Sequence, residues 1–145
     1  MGEVTIRGEN GDLLRITLLG RSHPGATDFW DGNWLWATVE VRAGAFRGSV
    51  CGDLRADELF RFLRQLVTLQ ESLGGTAEFQ TMEGWLSLRL VGDGQGHMAC
   101  RCVLRDKPGI GNALECTLTT DQTFIRETAA QLAAAVQAFP VIGEP

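Results

Sequence analysis

The sequence predicts an α+β domain with an antiparallel sheet of about eight strands and two helices packed on one face of that sheet. Short segments alternate apolar and polar residues, which is the period of a half-buried strand. Two longer segments, 56–73 and about 122–138, instead repeat apolar residues at helical spacing. Turns join consecutive strands, so the strands are expected to pair antiparallel. The predicted order along the chain is four strands followed by a helix, and this order occurs twice. A length of 145 residues predicts one domain, 1–145.

The first half of the chain contains four alternating segments and one helix. In the second segment, Leu14, Ile16 and Leu18 share one face, with Arg15 and Thr17 opposite. The helix repeats leucine and phenylalanine on one face, and a pair of glycines after it is a common helix stop. The strands are predicted at residues 3–7, 13–19, 34–42 and about 45–53, and the helix at 56–73.

The second half repeats this order. Four strands are predicted at residues 76–80, 85–90, about 97–105 and 114–119, before a helix at about 122–138 that Thr120 or Asp121 can cap. Asp31-Gly32-Asn33-Trp34-Leu35 in the first half is similar to Glu83-Gly84-Trp85-Leu86 in the second. This similarity suggests an internal duplication with pseudo-repeats 3–74 and 75–140.

The composition narrows the class of partner. The formal net charge is −5, from 13 basic and 18 acidic residues, which disfavours nucleic acid as a partner because phosphate binding requires a basic face. A mild acidic excess instead suits a basic protein partner. No apolar run approaches the ~18 residues of a membrane helix, and residues 1–5 lack the features of a signal peptide. A cytoplasmic protein without a membrane partner is therefore expected.

The cysteines and the glycine-rich segments predict no metal and no cofactor. Cys100, Cys102 and Cys116 fall on the apolar face of their strands, and with Cys51 they form no Cys-x-x-Cys pair. Buried, reduced thiols explain this pattern. The glycine-rich segment 92–96 leads into a strand, whereas a dinucleotide site needs a helix there.

The irregular loop 20–33 offers the residues for an enzymatic alternative. His23 lies there with Asp28 and Asp31, and these carboxylates could act as bases or metal ligands. No nucleophile elbow of the type Gly-x-Ser-x-Gly occurs in the chain. A small hydrolytic or ligand-binding enzyme is retained as the third of three interpretations.

Three of the four tryptophans lie within residues 28–36. Alternation places Trp34 and Trp36 on the polar face of their strand, with Trp85 as their counterpart in the second half. Two interpretations are open: the aromatic residues form a minor core under their own loop, or they form a recognition face. On the minor-core interpretation, Asp28 and Asp31 shape the turn by bonding nearby amides.

A family resemblance runs through residues 13–143. The segment Asp28-Phe29-Trp30-Asp31-Gly32-Asn33-Trp34-Leu35 resembles the signature of the WapI family of immunity proteins. Further segments match that family in order: Gly20-Arg21 with Pro24, residues 71–75, 82–88, 92–97 and 108–114, and Asp121-Gln122-Thr123 with Phe139-Pro140. The resemblance implies a small cytoplasmic protein that binds and neutralises a toxin domain. It implies no catalytic residues.

The first functional prediction is thus a non-enzymatic protein-binding domain that neutralises a cognate toxin by steric occlusion. The alternative is a homodimeric structural or regulatory module that uses the same tryptophan face. The expected partner contacts are Trp34, Trp36, Trp85, Asp28, Asp31 and Arg89.

Overall fold

Two four-stranded antiparallel sheets and three helices make up the fold in the computed structural model, which describes residues 2–145. Met1, with which the predicted domain begins, lies outside the described residues. Sheet A contains β1 (Gly2–Arg7), β2 (Leu13–Arg21), β3 (Trp34–Ala43) and β4 (Phe46–Arg55). Sheet B contains β5 (Gly74–Gln80), β6 (Leu86–Asp93), β7 (His97–Arg105) and β8 (Ala113–Asp121). The helices are α1 (Phe29–Gly32), α2 (Ala56–Ser72) and α3 (Gln122–Ala138).

The predicted α+β class, the eight antiparallel strands and the repeated order of strands and helix are confirmed. The strands do not form one continuous sheet, because β5 pairs with β6 and not with a strand of sheet A. The short helix α1, inside the loop 20–33, was not predicted. Both halves place their four strands in chain order. Duplication of the sequence stays a prediction.

The two long helices cover the first strand of each sheet. On the β1 edge, the Thr5 amide donates to Gln131 Oε1 (2.7 Å), and Thr128 Oγ1 donates to the Thr5 carbonyl (2.6 Å). On the β5 edge, the Glu78 amide donates to Gln65 Oε1 (2.9 Å). These side chains of α3 and α2 occupy strand-edge groups that could otherwise pair with a strand of another chain.

One hydrophobic core joins the inner faces of both sheets to the two long helices. Cys100 and Cys102 are buried in it, as predicted, and burial raises the pKa of the Cys100 thiol to about 12. Cys116 is half-buried opposite Cys102, and the hydrogen bond between the two thiols raises the pKa of Cys102 and lowers that of Cys116. Cys51 is exposed.

Trp85 connects the two sheets. Its indole Nε1 donates to the Asp53 carbonyl (2.8 Å), and its ring packs on Gly52 of β4. The expectation that Trp85 lies on an exposed face was wrong, because only 2% of the residue is exposed. The residue precedes the first residue of β6 and follows Gly84, which has a φ of +75°, so strand alternation does not set its direction.

We predict that Gly52→Ala destabilises the fold by about 1–3 kcal/mol, as overpacking of a core does. A Cβ at this position would lie 2.5 Å from Trp85 Cε2, so the indole or β4 must move. Urea denaturation measures the loss. The control is Gly25→Ala, where a Cβ meets no atom within 4 Å. Equal stability of the two variants would contradict the proposed role of the Trp85–Gly52 contact.

Candidate protein-binding surface

The aromatic stretch forms a capped helical turn. Asp28 is the N-cap of α1, and its Oδ2 accepts the Asp31 amide at 3.0 Å. An acidic side chain is favoured at this position because it accepts an otherwise unpaired helical amide. Asp28 therefore has the turn-shaping role that the sequence suggested, whereas the Asp31 side chain is exposed and lies in the first turn of α1.

Arg55, the last residue of β4, fastens this turn to the start of α2. Its guanidinium donates to the carbonyls of Trp30 and Phe29, each at 2.8 Å, and to Asp57 Oδ1 at 2.9 Å. The residue is fully buried. A buried charge is tolerated when a counter-ion and hydrogen-bond acceptors surround it, and Arg55 has both.

Three aromatic rings surround the same guanidinium. Its Cζ lies 5.0 Å from the ring centroid of Phe29, 5.5 Å from that of Trp30 and 4.9 Å from that of Trp34. These distances fall within the ~6 Å range of cation–π attraction. We call Arg55 with these three aromatic residues and Asp57 the arginine knot.

The chain end is tied to this knot through Asn33, which is fully buried. Asn33 Nδ2 donates to the carbonyls of Phe29 and Ile142, both at 2.9 Å, and Oδ1 accepts the Ile142 amide at 2.8 Å. Arg21 adds bonds to the carbonyls of Gly32 and Pro140, both at 2.7 Å. Residues 140–142 are thereby held against the turn.

A buried carboxyl, that of Glu58, lies at the N-terminus of α2. Glu58 Oε1 accepts the Arg55 amide at 2.7 Å, which is half of a capping box. Burial raises the pKa of Glu58 to about 7, although hydrogen bonds from the amides of Arg55 and Met82 act in the opposite direction. The carboxyl is therefore partly protonated near neutral pH.

The candidate residues separate into four places, one of which is the buried position of Trp85 between the two sheets. Asp28, Asp31 and Trp34 lie together at the arginine knot, where Trp34 is half-buried. Trp36 follows on β3 and is 44% exposed, while Arg89 is exposed on sheet B. Both the minor-core and the exposed-face interpretations of the tryptophans thus apply, to different residues.

The loop 20–33 does not assemble the groups of the enzymatic alternative into one hydrogen-bonded set. His23 is exposed, and within the described residues 2–145 no hydrogen bond joins it to Asp28 or Asp31. The described part of the chain also contains no group of three His, Cys, Asp or Glu residues that could hold a metal ion.

Sheet A exposes to solvent the face that its strands β3 and β4 turn away from the core. We call it the outer face of sheet A; it carries the exposed or half-exposed side chains of Leu19, Trp36, Thr38, Glu40, Arg42, Arg47, Ser49, Cys51 and Asp53. Trp36 lies opposite Asp53, whose Oδ1 accepts the Ser22 hydroxyl at 2.7 Å. Leu19 is exposed at a bulge between β2 and β3. An exposed tryptophan beside a leucine is a typical protein-contact feature.

The exposed face of sheet B carries Arg89 in a row of charges. Arg89 Nε lies 3.7 Å from Glu78 Oε1, and Arg101 Nη2 lies 3.3 Å from Glu115 Oε2. Arg89 and Arg101 stand directly opposite each other on β6 and β7. Each arginine of this pair therefore has its own carboxylate.

Comparison with known proteins gives a fold likeness and a family. The crystal structure of Trypanosoma brucei MRP1/MRP2 is similar at a TM-score of 0.50 with 17% sequence identity, over 94% of this chain and 83% of that chain. No curated protein matches the sequence. The model of the immunity protein WapI-like family matches residues 5–140, so the chain belongs to that family.

Within residues 2–145, none of the helices combines the length and the hydropathy that a membrane span requires.

We predict that Arg55→Lys lowers the free energy of unfolding by about 3 kcal/mol, because an ammonium cannot reproduce the guanidinium fork and leaves buried acceptors unpaired. Urea denaturation followed by tryptophan fluorescence measures this change. The control is Arg61→Lys, which makes the same exchange of guanidinium for ammonium at an exposed partner of the same Asp57 carboxylate. A loss below about 0.5 kcal/mol is expected for the control. Similar losses for both variants would contradict the arginine knot.

We predict that Glu58→Gln removes a pH dependence of stability. The folded pKa of about 7 lies above the ordinary 4.5, so the folded state binds more protons between these values. Stability from this residue therefore falls as pH rises through that window, and the glutamine variant gains on the parent between about pH 5 and 8. Urea denaturation at both pH values measures the difference. Glu71→Gln, exposed on the same helix, is the control. A stability difference independent of pH would refute this role of Glu58.

Proposed function

We propose that this protein is a non-enzymatic binding domain that neutralises a toxin in the cytoplasm by covering the toxin's active site or substrate-binding surface. Membership of the immunity protein WapI-like family supports a protein as the partner. The observation that carries the mechanism is Trp36, an exposed aromatic residue in an ordered sheet face. Large rigid side chains of this type contribute most of the binding energy in many interfaces.

Steric occlusion is favoured because the conspicuous polar side chains already have structural tasks. The Asp28 carboxylate caps α1, and Asn33 and Arg55 are buried in bonds to main-chain groups. A binding face needs no reacting group, only shape and charge complementary to the partner. The net charge of −5 would raise the association rate with a basic toxin more than the final affinity.

Among the expected contacts, Trp36 is proposed as the centre and Asp28, Asp31 and Trp34 as neighbours at the end of β3. Arg89 belongs to another sheet and is proposed as a secondary contact. Trp85 is buried between the sheets, so its contribution to binding would be indirect, through the position of β4.

We expect cells that express the toxin encoded beside this protein to survive only when this protein is expressed with it. Trp36→Ala should weaken binding to the purified toxin by about tenfold or more, as loss of a central aromatic contact does. Titration calorimetry gives the affinity. The control is Met82→Ala, which removes an exposed apolar side chain from a turn in the second half. Affinity within about twofold of the parent is expected there, as for a residue outside the contact.

Two outcomes would contradict the proposal. Equal cell death with and without this protein would exclude neutralisation of that toxin. A dimeric parent and a monomeric Trp36→Ala variant in sedimentation, without toxin binding, would favour the homodimeric module, which uses the same exposed tryptophan.

A further inference from the structure

The outer face of sheet A contains a second unusual feature at the end away from Trp36. Arg42 on β3 and Arg47 on β4 stand directly opposite each other, and both are exposed. Like charges at such a cross-strand position are destabilising. In the described residues 2–145, neither arginine forms an ion pair with a carboxylate.

Sheet B provides an internal comparison. Its own opposed pair, Arg89 and Arg101, is flanked by Glu78 and Glu115, which lie within ion-pair distance. The same arrangement of two arginines is thus compensated in one sheet and left uncompensated in the other. The positive charge of Arg42 and Arg47 is therefore available to bind an anion from outside the chain.

The surroundings of the pair form a shallow pocket of about 530 Å³. The hydroxyl of Ser49, which lines the pocket, supplies a further polar group. Arg42 Nε donates to the Gly11 carbonyl at 3.2 Å, which orients the guanidinium and leaves its terminal nitrogens without a bond in the described chain. The pocket wall is therefore partly ordered before any ligand binds.

A third arginine in the pocket is already neutralised. Arg15 Nε lies 3.2 Å from Glu3 Oε1, and its Nη1 lies 3.6 Å from Glu40 Oε1. Glu40 also lines the pocket. The free positive charge is consequently confined to Arg42 and Arg47, with a carboxylate near them.

We propose that Arg42 and Arg47 form an anion-binding pocket that takes an aspartate or glutamate side chain of the toxin partner, an assignment that rests on the proposed function. Guanidinium groups bind carboxylates through paired hydrogen bonds. Glu40 and the net charge of −5 disfavour an extended polyanion such as nucleic acid, whereas a single carboxylate fits the local charge.

The pocket lies six residues along β3 from Trp36, or about 20 Å at the rise of a strand. One standard-size interface of about 800 Å² on each partner covers both features.

The test is a titration of the full chain with N-acetylglutamate and, separately, with inorganic phosphate, followed by NMR at low ionic strength. We expect the carboxylate to shift the resonances of residues 42–49 with about millimolar affinity. Arg42→Gln/Arg47→Gln should weaken this binding by about tenfold, and Arg89→Gln/Arg101→Gln, which removes the same charge, should leave it within about twofold. Equal weakening in both double variants would overturn the pocket. Phosphate binding much tighter than carboxylate binding would overturn the acidic side chain as its occupant.

The toxin separates this proposal from the proposed function. Arg42→Gln/Arg47→Gln should bind the purified toxin about tenfold more weakly, while the Arg89 and Arg101 double variant loses less. If the arginine-pair variant binds like the parent and still protects cells, the pocket proposal fails and the proposed function stands. If the parent protein itself gives no protection, the proposed function fails, and with it the toxin side chain as the ligand.

Discussion

The hydrogen bonds of the buried Arg55 guanidinium link the turn 28–32 to the start of α2 and fix the position of both. The guanidinium binds the carbonyls of residues 29 and 30 in this turn, and Arg55 is also the N-cap of α2. The residue therefore fixes how sheet A leads into that helix. Asn33 extends the same network to the end of the chain. Burying a cation is costly, and here three acceptors and three aromatic faces offset that cost.

This arrangement assigns a structural task to the segment that marks the family most strongly. Within it, the aspartate N-cap, the aromatic residues and Asn33 hold the turn, the tail and Arg55 together. The surfaces left for a partner are the exposed faces of the strands. The motif orients these faces but forms only their edge. The outer face of sheet A combines an aromatic anchor at one end with an uncompensated arginine pair at the other, and the two features together would select a partner more strictly than either alone.

Alternation and helical spacing were sufficient to predict the strands, the long helices and the buried thiols, because each depends on which face of a local element is apolar. They could not predict the division into two sheets, since alternation does not specify pairing partners. Trp85 was misplaced because it precedes its strand and follows a turning glycine. The role of Arg55 was missed because its acceptors lie 25 and 26 residues earlier in the chain. Glu58, three residues later, was the available signal of a helix start at Arg55.

Hydroxyl-radical footprinting of the tryptophans, with and without bound toxin, shows which of them the toxin covers. In the free protein, Trp30 and Trp36 should be labelled, since they are 56% and 44% exposed, and Trp85 should not. The proposed binding face requires that the toxin protect Trp36 more strongly than Trp30, which lies on the turn with the neighbouring contacts Asp28 and Asp31. Protection of Trp30 with unchanged labelling of Trp36 would contradict it and would make the turn itself the binding site.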